Sequence, residues 1–358
     1  MDKTKKGINK KIELIEDSKP IKKNKIKSDT KSDTKSDTKS DTKSDTKSDT
    51  KSCDKKNEQI EYIKPILKWI GGKTQIIDDV INSFPEKIEN YHELFTGGGS
   101  VLLALLQNIE NNKIIVKKKI YAYDLNKTLI NMYKNIQKKP NEILVEIKKL
   151  IGDYNSIKGT VKNRSPSSIE EAKTSQESYY YWIRNVFNKL SEDDKIKPIG
   201  SAHFIFLNKT CFRGMYREGP NGFNVPFGNY KSPEILNETH LNKISNLIKN
   251  VEFIYSDFEQ SFDNIKNIDF IYADPPYVPE NAKSFVGYTS DGFSLEKHKK
   301  LFDSCKNYNF VMSNSDTDLV KNSFDDKTKY DIKIISCRRA INSKKPDSKT
   351  NEVIIKSK

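Results

Sequence analysis

The chain has 358 residues, with 63 Lys and Arg against 49 Asp and Glu, for a formal net charge of +14. That length allows one catalytic domain, an accessory subdomain and a tail, and the basic balance favours a polyanionic partner, although abundant Lys beside scarce Arg also fits composition bias alone. No apolar run reaches the roughly 18 residues of a membrane span, the N-terminus lacks the apolar core and cleavage site of a secretory signal, and four scattered cysteines (Cys53, Cys211, Cys305, Cys337) with no CxxC pair exclude a disulfide scaffold and fit a reducing compartment.

Residues 1–58 read as a disordered tail. Six consecutive KSDT tetrapeptides run from Lys27 to Thr50; they alternate charge, hold no apolar residue and cannot bury a core. A period of four is too short for a solenoid unit. The Lys-rich stretch before them, with Lys22, Lys23 and Lys25, reads as a solvated tail, with a nuclear address or a nonspecific DNA arm as the alternatives. Periodic structure begins near Ile60. Tyr91 to Phe95 predicts a short strand, Thr96-Gly97-Gly98-Gly99-Ser100 a glycine turn, and Val101 to Gln107 the start of a helix. Ile120 to Asp124 predicts a second strand ending in an acid, followed by a helix over Leu129 to Ile136. The same grammar returns in Val251–Tyr255 before Asp257, Asp269–Ala273 before Asp274, and Asn309–Met312 before Ser313. Such alternation argues for an α/β, Rossmann-like, doubly wound sheet. The stretch between, 140–250, is richer in helical patterns and polar loops and reads as an inserted, mainly helical subdomain. The catalytic domain would then comprise 59–139 and 251–358.

Four motifs carry chemistry: Lys68-Trp69-Ile70-Gly71-Gly72-Lys73, Phe95-Thr96-Gly97-Gly98-Gly99, Asp124, and Asp274-Pro275-Pro276-Tyr277. A glycine turn after a strand lets backbone approach a ligand and aims helix N–H groups at it; a plain strand-to-helix turn is the alternative. Neither GxGxxG nor GxxxxGK[ST] is present, which disfavours a P-loop. Asp124, at the end of the next strand, stands where an open α/β sheet places a carboxylate against ribose hydroxyls, or else caps the helix that follows. The Asp274 motif is the most specific. Two prolines after a buried strand fix an extended turn whose carbonyls can face a ligand. A carboxylate beside such a carbonyl makes a two-acceptor site for an NH2 group, and Tyr277 offers a face for stacking an extruded base.

In this order the motifs resemble the Dam-type, D12 class group of adenine-N6 DNA methyltransferases, over about Lys64 to Ile355. Further stretches share the resemblance: Tyr179-Tyr180-Tyr181 through Arg184 to Asn188, Phe206 to Thr210, Gly222 to Gly228, Ser313 to Asp316, and Arg338 to Ile341. The resemblance implies a methyl donor, S-adenosylmethionine, held by Trp69, Lys73, Phe95, Gly97, Gly99, Asp124, Asp257 and Asp274. It implies Asp274, Pro275, Pro276 and Tyr277 as the catalytic turn, with no metal. It implies duplex DNA as partner, read by Lys68, Phe212, Arg213, Met215, Arg217, Pro226, Tyr230 and Lys231. Lys68 and Arg217 would read guanines of GATC, and Phe212 would wedge into the base stack. A cognate restriction endonuclease is a further implied partner, and a monomer bound to DNA inside the cell is the expected state. Two positions depart from the pattern: Asn229 stands where an arginine is common, and Arg213 where a smaller polar residue is usual. The competing readings are methylation of RNA or of a protein amide, against which the hairpin between the motifs argues, and an inactive DNA-binding module, against which Asp124, Asp274 and Tyr277 argue.

Overall fold

The computed structural model describes residues 60–279, 293–338 and 349–358. The KSDT array, the lysines before it, Cys53 and the Arg339 to Ile341 stretch lie outside the described residues. Seven strands form the central sheet: β1 (Tyr91–Glu93), β2 (Ile120–Asp124), β3 (Val251–Tyr255), β4 (Phe270–Ala273), β5 (Asn309–Ser315), β6 (Tyr330–Arg338) and β7 (Lys349–Ser357). Their lateral order is β6-β7-β5-β4-β1-β2-β3. Strands β1 to β5 run parallel, and β7 lies antiparallel between β5 and β6. The chain therefore winds outward from β1 in one direction and from β4 in the other. Their adjacent carboxyl ends form the crevice where open α/β sheets bind ligands.

The two-residue period of the strands separates two cores. Tyr91, Ala122, Phe253, Tyr272, Val311 and Ile354 face one side, packed with α1 (Ile77–Asn82), α2 (Ser100–Glu110), α3 (Lys127–Lys138), α4 (Pro140–Ser156), α5 (Ile169–Ala172), α6 (Gln176–Lys189), α8 (Pro198–Thr210) and α9 (Glu238–Leu247), while the charged α7 (Glu192–Lys195) lies against α8 with no buried residue. Tyr123, Ile271, Ala273, Phe310, Met312, Val353 and Ile355 face the other, against α10 (Phe258–Ser261), α11 (Leu295–Cys305) and α12 (Asp318–Ser323). Burial on both faces explains why the central strand β4, Phe270–Ala273, reads as an unbroken apolar run.

The helices of 140–250 share the first core with α2 and α3. Helix α8 is the centre of that layer, packed on α3, α4 and α6. It is apolar nearly all round, and Ala202, Phe204, Ile205, Phe206 and Leu207 are wholly buried, as such a helix must be. Cys211, Cys305 and Cys337 are buried and unpaired. Among the described residues no helix is long and apolar enough to cross a membrane.

Element boundaries moved where caps decide them. The first strand stops at Glu93, although Leu94 N–H still donates to Tyr272 O at 3.0 Å before the chain turns. Helix α3 starts at Lys127 because the Asn126 side chain accepts from Leu129 N–H. The cap is thus Asn126, not Asp124. Gly99 caps α2 in the left-handed region, φ +76°, and a Cβ there would lie 2.6 Å from the Tyr133 hydroxyl. Gly99→Ala should therefore cost about 1–3 kcal/mol, seen as a lower urea or thermal midpoint; an unchanged midpoint would contradict this account.

Candidate active site

A cavity of about 880 Å³ opens at the carboxyl ends of the parallel strands, a size suited to a ligand with several functional groups. Trp69, Lys73, Phe95, Gly97, Asp124, Asp257 and the whole of Asp274 to Tyr277 line it. The structure thus gathers residues more than 200 positions apart. Gly99 is the exception: it is buried behind the loop, against Tyr133.

The turn after β4 is held from below by β5. Asn314 Oδ1 accepts from Val278 N–H at 3.2 Å, and Ser315 Oγ donates to Val278 O at 2.6 Å. With Pro275 and Pro276 restricting φ, this clamp leaves the Asp274 side chain little freedom. Asp274 Oδ2 lies 2.7 Å from Lys73 Nζ, which is only 3% exposed and also donates to Gly71 O at 2.6 Å. Asp274 Oδ1 is buried and has no hydrogen-bond partner among the described residues. Burial pushes the Asp274 carboxyl up to about 6; Lys73 opposes the shift and Glu352 adds to it. Tyr277 donates its hydroxyl to Glu352 Oε2 at 2.7 Å, and Lys73 Nζ sits 4.8 Å from the Tyr277 ring centroid.

Further carboxylates crowd the floor. Asp124 Oδ2 accepts from Gly97 N–H and Oδ1 from Asn126 N–H, each at 2.8 Å, so this one side chain ties the glycine loop to the start of α3. Burial raises its pKa while those two N–H groups lower it. Beneath it Glu93 is pushed up to about 8, chiefly by burial and partly by the charges of Asp274 and Asp124, against the hydrogen bond from Tyr91 at 2.7 Å. Asp124, Asp257, Asp274 and Glu352 line the cavity against Lys73 and Lys297, an acidic excess that favours a cationic ligand. Asp257 has a double task, lining the cavity and capping α10 through Glu259 N–H at 3.0 Å. Opposite, Trp69 fits against the glycine loop so closely that a Cβ on Gly97 or Gly98 would lie 3.0 or 2.8 Å from it. The indole also stacks on Tyr216, with ring centroids 5.8 Å apart.

Tyr216 belongs to a second group of residues, framed by α6. Tyr180 Oη and Arg184 Nη1 donate to Val225 O at 2.7 and 3.2 Å, and Asn188 makes two bonds to the backbone of Phe223. Spaced four apart, these three side chains lie on one helix face. They hold the hairpin Glu218–Gly219/Gly222–Phe223 and the strap that follows it. Phe212 N–H donates to Pro226 O and Gly228 N–H to Thr210 O, both at 2.8 Å, zipping the two ends together. On this frame Phe212 is 44% exposed, Pro226 and Lys231 are exposed, and Met215 packs half-buried on the core. Arg213 adopts φ +56°, a left-handed conformation that costs a side chain free energy. Lys68 Nζ lies 3.8 Å from the Tyr230 ring centroid. Arg217 is held by Asn224, with Nε to Oδ1 at 2.6 Å and Nη2 to the carbonyl at 3.2 Å.

The cavity and this surface meet at Lys68 and Trp69, and a buried residue joins them. Asn208 accepts from Lys68 N–H at 2.9 Å and donates to Lys68 O at 2.8 Å and to Gly214 O at 3.1 Å. Sequence reasoning assigned no role to Asn208, Glu93, Asn314 or Glu352. A polar residue in an apolar helix was the signal for Asn208; the others sit in strands where an acid or amide has no distinguishing pattern.

The sequence pattern of the D12 class N6 adenine-specific DNA methyltransferases matches residues 69–341, and the chain belongs to that family. It is 35% identical over 297 residues to the Type II methyltransferase M.MjaIII of Methanocaldococcus jannaschii, covering 79% of this chain and 94% of that protein. It is 27% identical to the Type II methyltransferase M1.LlaDCHI of Lactococcus lactis subsp. cremoris (82% and 95% covered). It is 28% identical to the DNA adenine methylase of Haemophilus influenzae (71% and 80% covered). The chain is thus an adenine-specific DNA methyltransferase. Asn208→Ala should leave buried backbone groups unpaired, at about 1–3 kcal/mol, and speed amide exchange in 66–70 and 211–217 without affecting β1 to β5. Uniform loss of protection across the sheet would instead mark Asn208 as a general core residue.

Proposed function

We propose that the chain transfers a methyl group from S-adenosylmethionine to N6 of an adenine extruded from duplex DNA, within GATC or a close relative. The observation that carries this reading is Asp274 Oδ1, buried and without a partner among the described residues, in the turn where Lys73 Nζ meets both Asp274 and the Tyr277 ring. An unmet buried acceptor is costly, and an exocyclic NH2 supplies the missing donor. The amine is a poor nucleophile because its lone pair conjugates with the ring. Asp274 and a neighbouring prolyl carbonyl, accepting its two hydrogens, draw the nitrogen toward tetrahedral geometry. Tyr277 gives the purine a stacking face.

The donor set fits S-adenosylmethionine. The acidic excess of the lining suits its sulfonium and ammonium charges, Asp124 suits ribose hydroxyls, and Phe95, Phe258 and Phe293 offer apolar walls for an adenine. The Gly97–Gly98 surface has no room for a side chain against Trp69. When bound, the donor supplies a methyl group already activated by the sulfonium, so no metal or covalent enzyme intermediate is required. Lys73 keeps Asp274 ionised, and Asp257 stands by the cavity wall where a purine amine can be met.

Residues 140–250 serve target recognition on this reading. Lys68 and Arg217 read guanines. Asn224 preorganises Arg217 while leaving donors free for O6 and N7. Phe212 holds the opened stack, with Arg213, Met215, Pro226 and Tyr230 shaping the surface and Lys231 meeting phosphate. Two relatives named as Type II methyltransferases support a cognate endonuclease as a functional partner.

Asp274→Ala should lower turnover by about 10² to 10³-fold while duplex binding persists; more than half of wild-type turnover would remove Asp274 from the mechanism. Because the ionised form is the acceptor, kcat/KM should fall as pH drops through about 6, and Lys73→Met should move that limb upward. Arg217→Ala should cost about 1–3 kcal/mol at one base pair and relax discrimination there, whereas Lys231→Ala should weaken all sites alike and reduce the salt slope by about one. Methylation-aware sequencing of plasmid from expressing cells tests the site itself: modification outside any GATC-like motif would overturn the recognition assignments and leave the catalytic ones standing.

A further inference from the structure

We infer that Glu352 is a positioning residue of the transfer reaction: its carboxylate pins the Tyr277 ring through the hydroxyl and sets the charge balance around Asp274. The inference rests on the reading that Asp274 and Tyr277 face the target amine. Base stacking needs only the ring of Tyr277, and a phenylalanine would provide it. The hydroxyl is free for another purpose, and here it donates to Glu352 Oε2 at 2.7 Å. The anchor is firm because Glu352 pairs with Ser315 on β5 and with Ile335 on β6, inside the sheet rather than on a loop. Ser315 is the same residue that clamps Val278 O. The two ends of the Tyr277 segment are thus held by adjacent strands, one through backbone and one through the phenol.

Four groups form a connected chain along the cavity lining. Lys73 binds Asp274 Oδ2 and lies under the Tyr277 ring, and Glu352 holds the far end of that ring. The titratable groups facing Asp274 are Lys73 from the segment before α1, Glu93 at the end of β1, Tyr272 on β4, Tyr277, and Glu352 on β7. Glu352 and Lys73 act on Asp274 with opposite sign: the carboxylate favours its protonated form and the ammonium its ionised form. Removing the Glu352 charge therefore makes Asp274 more acidic.

The test compares full-length wild type, Glu352→Ala, Glu352→Gln, Tyr277→Phe and the Glu352→Ala/Tyr277→Phe pair on plasmid DNA, with S-adenosylmethionine binding by calorimetry as the control for folding. Glu352→Ala and Tyr277→Phe each free the ring, and each should lower kcat by about 10- to 100-fold, the scale of a small misplacement. The pair should be no worse than either alone. Gln can still accept from the phenol, so Glu352→Gln should recover most of what alanine loses, with the acid limb of its pH profile moved to lower pH. Independent, multiplying losses in the pair would overturn the inference, as would equal loss in Ala and Gln with an unmoved pH limb, or turnover of Glu352→Ala within about twofold of wild type. Asp274→Ala separates the two levels. If it is inactive while Glu352→Ala is unaffected, only the inference fails; if it remains active, the underlying reading of the site fails.

Discussion

The ion pair between Lys73 and Asp274 is the constraint on which the site depends. A buried lysine keeps its charge only beside a counter-ion, and a buried carboxylate keeps its own for the same reason. Each residue therefore requires the other, and the pairing fixes two segments far apart in sequence: the Gly71–Gly72 loop before α1 and the turn after β4. It consumes one Asp274 oxygen and leaves the other buried and unpaired among the described residues. Breaking a pair of this kind is expensive because the remaining charge stays buried. The structure thus holds one carboxylate oxygen in place at the wall of the cavity.

Around that pair, buried polar side chains fix loops that apolar packing alone would leave ambiguous. Asn314 and Ser315 grip Val278, Asp124 grips Gly97, and Asn208 grips both Lys68 and Gly214. The side chains of α6 do the same for the 223–225 strap. Hydrogen bonds of this sort contribute modestly when made and cost more when broken, so they select one loop conformation among many. Because Lys68 and Trp69 are neighbours, the Lys68–Tyr230 surface and the cavity share a backbone segment.

The motifs at strand ends were legible because their chemistry is local. A strand, then Asp-Pro-Pro-Tyr, implies an extended turn with a carboxylate at its head whatever surrounds it. The strand at β4 was equally plain, since a strand covered on both faces must be apolar throughout. Less legible were the strands' partners. Nothing in Ile120–Asp124 or Val251–Tyr255 states that these two are neighbours, or that β7 enters antiparallel between β5 and β6. Gly99 shows the limit of motif reading: its glycine is required by a positive φ and by Tyr133, although the motif placed it beside the ligand.

By itself, then, the sequence determined the five parallel strands, the helices that follow the first two of them, the motif residues at the strand ends and the family to which they point. Each follows from interactions within a few positions of the chain. The tertiary structure alone decided which side chains act together. Glu352, on the last strand, reaches Tyr277 only because β7 lies against β5. Asn208 reaches Lys68, 140 positions away, only because α8 is buried in the layer beneath that loop. These are non-local pairings between ordinary polar residues, and their physical cause is the burial that brings them together, which no short stretch of sequence records.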